Sequence, residues 1–417
     1  MQNQLRGRAE ILIQQKKYAE AERVLNEMLS IDPGDVYILT LMAEVCLHQN
    51  KTEKAESLID SALAISPDSG HLFYIKARIF IQKDQFDEAE TWIQLALERD
   101  PEDSDFYAIW ASVKLTRKQF LNAINLSNKA LELDSENLLA LNVRSTALLK
   151  LNNKEDSFHT IEGALREDPN NAFTHANYGW NLLENRDHKK ALEHFREALK
   201  NDPTMEYAQA GMVEALKANN ILYKLFLRYS FWIGNLTAKY QWGVIIGFYL
   251  GFRGLNYLAS TNEALQPFLT PLLVLLALIA FSTWIITPVS NLFLRVSPFG
   301  RHLLTKKEIM SSNFVGASFI VFLIGIALYF IAGEEQALSI AVFGFAMMLP
   351  YSVMFNSSKY KNSLLIYAAV MTLIGVGAIW SAFTTGVLYN SYASIFLVGF
   401  IAFQWVANFL MIREGNA

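Results

Sequence analysis

His71, Tyr74 and Arg78 fall at i, i+3 and i+7 of one short stretch, HLFYIKAR. At helical spacing this sets an imidazole, a phenol and a guanidinium on one face. Aromatic rings and arginine presented together are the side chains that most often anchor a bound protein segment. Tyr37 before them and Asn142, Phe173, Asn177 and Trp180 after them extend the same set of binding-type residues. The chemistry on offer is recognition. Bond-making chemistry finds no comparable support, since the chain has no GxxxxGK[ST] loop, no HExxH pair and no GxSxG elbow. The last aspartate is Asp202, and no histidine lies in the apolar stretches of the C-terminal half. That half therefore has neither paired aspartates nor a histidine base for intramembrane proteolysis. His188 and His194 are not at a metal-binding spacing on a helix. No catalytic residue, cofactor or metal is expected.

The elements that must hold the binding residues repeat with a period of 34. Half of the ten prolines stand on one ruler, Pro33, Pro67, Pro101, Pro169 and Pro203, and Ser135 takes the missing mark. Small residues recur at Ala9, Ala43, Ala77, Ala111, Ser145 and Gly179. A second set runs Ala21, Ala55, Ala89, Ala123, Ser157 and Ala191, and a third runs Ala62, Ala96, Ala130, Ala164 and Ala198. Each unit then reads as two amphipathic helices closed by proline, unable to bury its apolar face without a neighbour.

On these registered positions the first 220 residues resemble the tetratricopeptide repeat family, as six units plus a closing helix over 205–217. The pattern departs from the family at Ser135, at Ser127 where a bulky residue is usual, and in lacking the usual aromatic near each unit's start. The resemblance implies a right-handed superhelix whose concave face is lined by the first helix of each unit and takes an extended peptide or a helix. By register Arg6, Glu10, Glu44, His48 and Glu184 join the binding residues on that face. The Lys/Asn/Arg carboxylate clamp of some relatives is missing, because Arg6, Glu10, Leu41, His71 and Ile75 stand there instead.

Composition changes abruptly after the repeats. The first 220 residues hold 25 Lys/Arg and 35 Asp/Glu, whereas the remainder holds 11 and 5. An acidic half repels phosphate, so nucleic acid is not an expected partner. Cys46 is the only cysteine, which excludes a disulfide scaffold. The second half reads as a polytopic helical membrane domain of about six spans, at 242–259, 268–287, 313–332, 337–355, 363–383 and 392–412. Gly247 and Gly251 give the first a GxxxG spacing for close helix packing.

The loop 295–308 carries Arg295, Arg301, Lys306 and Lys307, and a second basic loop holds Lys359 and Lys361. The positive-inside rule places both, and with six spans both termini, in the cytoplasm. The first twenty residues lack the apolar core of a targeting peptide, in keeping with a bacterial inner-membrane protein. Between the halves, 221–240 sets Lys224 and Arg228 at i, i+4 among Leu and Phe, which suits a helix lying along anionic headgroups, the alternative being the start of a longer first span. The expected organisation is all-α, with a repeat solenoid at 1–220, an interfacial linker at 221–240 and a membrane domain at 241–413. The expected function is a membrane-anchored adaptor binding a protein partner through its cytoplasmic groove, in contact with the bilayer and able to join a membrane complex or a homo-oligomer. Two rival readings stand beside it: a transporter or lipid-handling protein with a regulatory repeat domain, for which Gln404, Asn408, Asn356 and Pro350 are the relevant residues, and a membrane enzyme with ionisable groups converging near Arg295–Lys307.

Overall fold

The computed structural model describes residues 2–295, 304–355 and 362–414, and all regular structure among them is helical. The chain divides into two compact units, Met1–Thr174 and His175–Ala417. In the first, helices come in pairs: α1 and α2 (Gln2–Gln14, Tyr18–Ile31), α3 and α4 (Val36–His48, Thr52–Ile65), and α5 and α6 (Gly70–Gln82, Phe86–Arg99). Two more pairs follow, α7 and α8 (Ser104–Thr116, Phe120–Leu133) and α9 and α10 (Leu138–Lys150, Lys154–Glu167).

Every Ala or Ser of the three small-residue rulers within this unit is fully buried. Small side chains at these marks let the paired helices approach closely. The first helix of a pair is started by a side-chain cap at a 34-residue interval: Asp35 accepts from Tyr37 and Ile38, Ser69 from Leu72, Asp103 from Asp105, Asn137 from Ala140, and Asn171 from Thr174. It ends in a left-handed residue, at Lys16, Asn50, Asp84, Lys118 and Asn152, with φ between 57° and 63°. The next amide bonds back across the turn, Lys17 to Leu12 and Lys51 to Cys46 at 2.8 Å, a Schellman closure that leads straight into the second helix. Between repeats, Glu22 takes hydrogen bonds from Lys51 and Lys54 at 2.8 and 2.7 Å, which pull its carboxyl down to about 2.

The second unit opens with the rest of α11 (Ala172–Glu184), then α12 (His188–Asn201), α13 (Glu206–Lys217) and α14 (Ile221–Gly234). Arg186 closes the α11–α12 turn at φ 72°. The Phe195 ring lies against both Gly179 and Gly211, and a Cβ on Gly179 would come within 2.7 Å of it. Long helices follow: α15 (Ala238–Thr261), α16 (Gln266–Leu294), α17 (Lys306–Ala332), α18 (Ala337–Val353), α19 (Ser363–Thr385) and α20 (Ser391–Glu414).

Four of these, α16, α17, α19 and α20, are long and apolar enough to cross a membrane, rather than the six expected. α15 has the length, but Gln241, Arg253 and Asn256 dilute it. α18 has only 17 residues, about 26 Å against a hydrocarbon core of about 30 Å. α18 is also the most enclosed of the set, with Met347, Met348, Leu349 and Pro350 all buried. Outward faces of the long helices are apolar, with Phe330, Ile331, Leu373 and Trp380 exposed.

The close approach expected at Gly247 and Gly251 does not occur among the described residues, where a Cβ on either meets nothing within 4 Å. It occurs instead between α17 and α18, where Gly325 abuts the Ala341 backbone and Gly344 the backbone of Phe322. Ser318 donates to the Gly344 carbonyl at 2.8 Å and Ser311 to that of Ser352 at 2.9 Å. Farther round, Tyr367 donates to the Gly399 carbonyl at 2.8 Å and Tyr351 meets Thr372 at 2.8 Å. Gln404 and Asn408 are half-buried on α20.

A candidate protein-binding face on the first helices of the repeats

Helices α3, α5, α7 and α9 run side by side as the first members of their pairs. A residue on one is thus brought beside its counterpart 34 positions later. Glu10, Glu44 and Arg78 share one register mark, and Arg78 Nη1 lies 3.5 Å from Glu44 Oε1. The Arg78 guanidinium also sits 5.6 Å from the Tyr74 ring centre. Tyr74 stacks on Phe106 of the next pair at 5.3 Å and lies 6.1 Å from His71. Burial pushes the Tyr74 phenol up, so it remains a neutral donor and acceptor.

A second cluster stands at the start of the chain. The Arg6 guanidinium covers the Tyr37 ring at 3.7 Å, the Tyr37 hydroxyl donates to Glu10 at 2.7 Å, and Arg6 Nε reaches Glu10 at 3.2 Å. Those bonds from Tyr37 and Arg6 hold the Glu10 carboxyl below its ordinary range. His48 stacks on Tyr18 at 4.6 Å, and burial, then Arg78, lower its pKa. Both arginines are therefore paired with carboxylates over an aromatic ring, a low-entropy surface that offers flat apolar area and fixed donors.

Tyr37, 39% exposed, and His71 are open to solvent, and Arg78 is half-exposed. Phe173 is 47% exposed. Asn142 departs from the expectation: at 2% exposure it donates to the Leu138 carbonyl at 2.8 Å and to Thr174 Oγ1 at 2.9 Å, serving packing between helices. Asn177 is likewise buried. Trp180 is half-buried, its indole N–H donating to the Tyr207 carbonyl at 3.1 Å and its ring touching Phe195, Tyr207 and Phe231. Glu184 accepts from Asn235 at 2.9 Å. Two residues that back the face were not singled out by sequence, Tyr18 at the start of α2 and the buried Phe106. Phe106 was legible in principle, standing one period beyond Leu72, the neighbour of His71.

Of the basic residues, Lys224 is half-buried, Arg228, Lys306 and Lys307 are exposed, and Arg295 donates to Asn313 at 2.6 Å. Arg301, with His302, Asn356, Lys359 and Lys361, lies outside the described residues. Among the described residues no three His, Cys, Asp or Glu side chains gather to hold a metal ion.

Sequence profiles of the tetratricopeptide repeat match residues 12–79, 55–112 and 172–205. No curated protein matches the chain. Solved structures similar to it include a tetratricopeptide repeat protein from Parabacteroides merdae ATCC 43184, at 18% identity and TM-score 0.46, over 52% of this chain and 84% of that one. Pseudomonas aeruginosa pilF is 16% identical with TM-score 0.39, over 51% and 97%. The APC/C hetero-tetramer Cut9–Hcn1 is 16% identical with TM-score 0.43, over 52% and 46%.

Proposed function

We propose, for a chain whose N-terminal half is built of tetratricopeptide repeats, that it is a membrane-anchored scaffold which binds a protein segment along the first helices of its repeats. The observation that carries this reading is the pair of arginine–aromatic clusters, Arg6–Tyr37 and Arg78–Tyr74, on neighbouring repeats of one unit. Each sets a guanidinium already neutralised by glutamate beside a ring, so a bound peptide meets apolar area without stranding a charge. The mechanism is recognition with no bond made or broken.

The same reading holds the protein in a bacterial inner membrane through α16, α17, α19 and α20. α15 and the enclosed α18 complete six crossings, with both termini and the basic ends cytoplasmic. It keeps 1–220, 221–240 and 241–413 as solenoid, linker and membrane domain.

Affinity capture from gently solubilised membranes tests the binding face. The full chain is compared with a Tyr37→Ala/His71→Ala/Arg78→Ala variant, whose substitutions lie on exposed or half-exposed side chains. A protein retained by the parent and weakened at least about tenfold by the still-folded variant supports the reading. Equal retention by both removes it. Topology is checked separately, by the accessibility of a C-terminal tag in sealed vesicles of known orientation.

A further inference from the structure

Helix α14 packs on the protein with one side and turns an apolar side away from it. At 100° per residue, Tyr223 and Leu227 point one way, and these are its two buried residues, at 1% and 7% exposure. The Tyr223 hydroxyl donates to Glu214 at 2.6 Å, and burial drives its phenol strongly upward. Phe231, on the same side, lies against Trp180. Ile221, Leu222, Leu225, Tyr229 and Trp232 occupy a single arc about 100° wide on the opposite side and are all exposed, Ile221 at 73% and Leu225 at 59%. Lys224 and Arg228 border that arc, and α14 contains no acidic residue.

We infer that this arc of α14 is an anionic-lipid-binding surface that lies in the headgroup layer of the membrane. The proposal rests on the membrane reading of the long helices and deepens it. Three observations choose lipid over a protein occupant. The helix sits against α16, one of the four helices able to cross a bilayer, and α15 begins only four residues after it ends. Val213 of α13 packs with Leu294 and Leu304, so this region lies at the end of α16 where Lys306 and Lys307 are exposed. Finally, tyrosine and tryptophan beside lysine and arginine, on a helix with no acidic residue, are the composition of a membrane interface, where amphipathic rings and cations meet phosphate. A second copy of the arc would meet like charge with like charge.

The test uses spin labels on the full chain, freed of its one cysteine by Cys46→Ala. Labels go at Leu225→Cys on the arc, Leu373→Cys on the outer face of α19 and Lys200→Cys on the repeat surface. Each is reconstituted in phosphatidylcholine vesicles with and without phosphatidylglycerol, and relaxation by oxygen and by a water-soluble nickel complex is compared. The expected result is a Leu225 label at headgroup depth, between Leu373 and Lys200, and deeper when phosphatidylglycerol is present. Lys224→Gln/Arg228→Gln is expected to abolish that lipid dependence. A Leu225 label as open to nickel as Lys200, shielded from both relaxers, or indifferent to phosphatidylglycerol overturns the proposal while Leu373 remains lipid-exposed. A Leu373 label open to nickel overturns the membrane reading itself, and the proposal with it.

Discussion

The hydroxyl of Ser145 donates to the carbonyl of Ser157 at 2.9 Å, with both side chains fully buried. The two stand where earlier repeats have alanine, at Ala111 and Ala123, so a polar contact replaces an apolar one at the crossing of α9 and α10. Ser127 is different: its hydroxyl is buried with no hydrogen-bond partner among the described residues. Removing an unsatisfied buried group relieves its desolvation cost, whereas breaking a satisfied pair strands the other member. Ser127→Ala is therefore expected to stabilise by about 1 kcal/mol, and Ser145→Ala to destabilise by about as much. The check is the thermal midpoint of the full chain in detergent, where about 1 kcal/mol moves a unit of this size by about 2–4 °C. A lower midpoint for Ser127→Ala contradicts the argument.

Arg186 holds φ 72° so that the Asp187 amide can reach the Leu182 carbonyl at 2.9 Å. A residue with a Cβ pays for this conformation with about 1–2 kcal/mol that glycine avoids. Arg186 is exposed, so little packing is lost on truncation. Arg186→Gly is expected to raise stability by about 0.5–1 kcal/mol and Arg186→Val to lower it. Opposite signs for the two, read by chemical denaturation, are the signature. A drop with glycine would place the stabilising contribution in the side chain instead.

The period of 34 made the helix pairs legible because every crossing demands a small residue, and Ala9, Ala43 and Ala77 announce it in register. The left-handed turns were only half legible: Asn50, Asp84 and Asn152 are types that favour positive φ, whereas Lys16, Lys118 and Arg186 are not. Asn142 was read as a binding residue because a polar side chain on a first helix looks solvent-facing. Its buried role depends on Thr174, 32 residues away, which no local pattern reveals. In the apolar half, hydropathy located the helices, but not which glycines pack. Gly247 and Gly251 have the familiar spacing and open surroundings, whereas Gly325 and Gly344 lie on different helices and form their contact only once α17 and α18 are folded together.

That contact yields a prediction. With Gly344 against the Phe322 backbone and Ser318 bonded to the Gly344 carbonyl at 2.8 Å, α18 can shift only by giving up that bond. Gly344→Leu is expected to separate α17 from α18 and lower the yield of monodisperse protein in detergent. Gly247→Leu, in open surroundings, is expected to be tolerated. Equal behaviour of the two on size-exclusion chromatography would contradict the packing assigned here.

His194 supplies a pH dependence. Its Nδ1 lies 3.0 Å from Nδ1 of His175, and its ring rests 4.3 Å from that of Tyr178. Burial first, then His175, pull its pKa down to about 4, with Lys190 acting in the same direction and Glu197 opposing. The folded state thus keeps His194 neutral, while the unfolded chain protonates it near the ordinary value of about 6.5. Below that pH the unfolded state binds more protons, so stability is full above about 6.5 and declines as pH falls toward 4. Thermal midpoints of the full chain in detergent between pH 7.5 and 4.5 are expected to fall, and His194→Phe, which keeps a ring in the site, is expected to flatten part of that slope. A variant with the parent's slope would show that other groups carry the acid sensitivity.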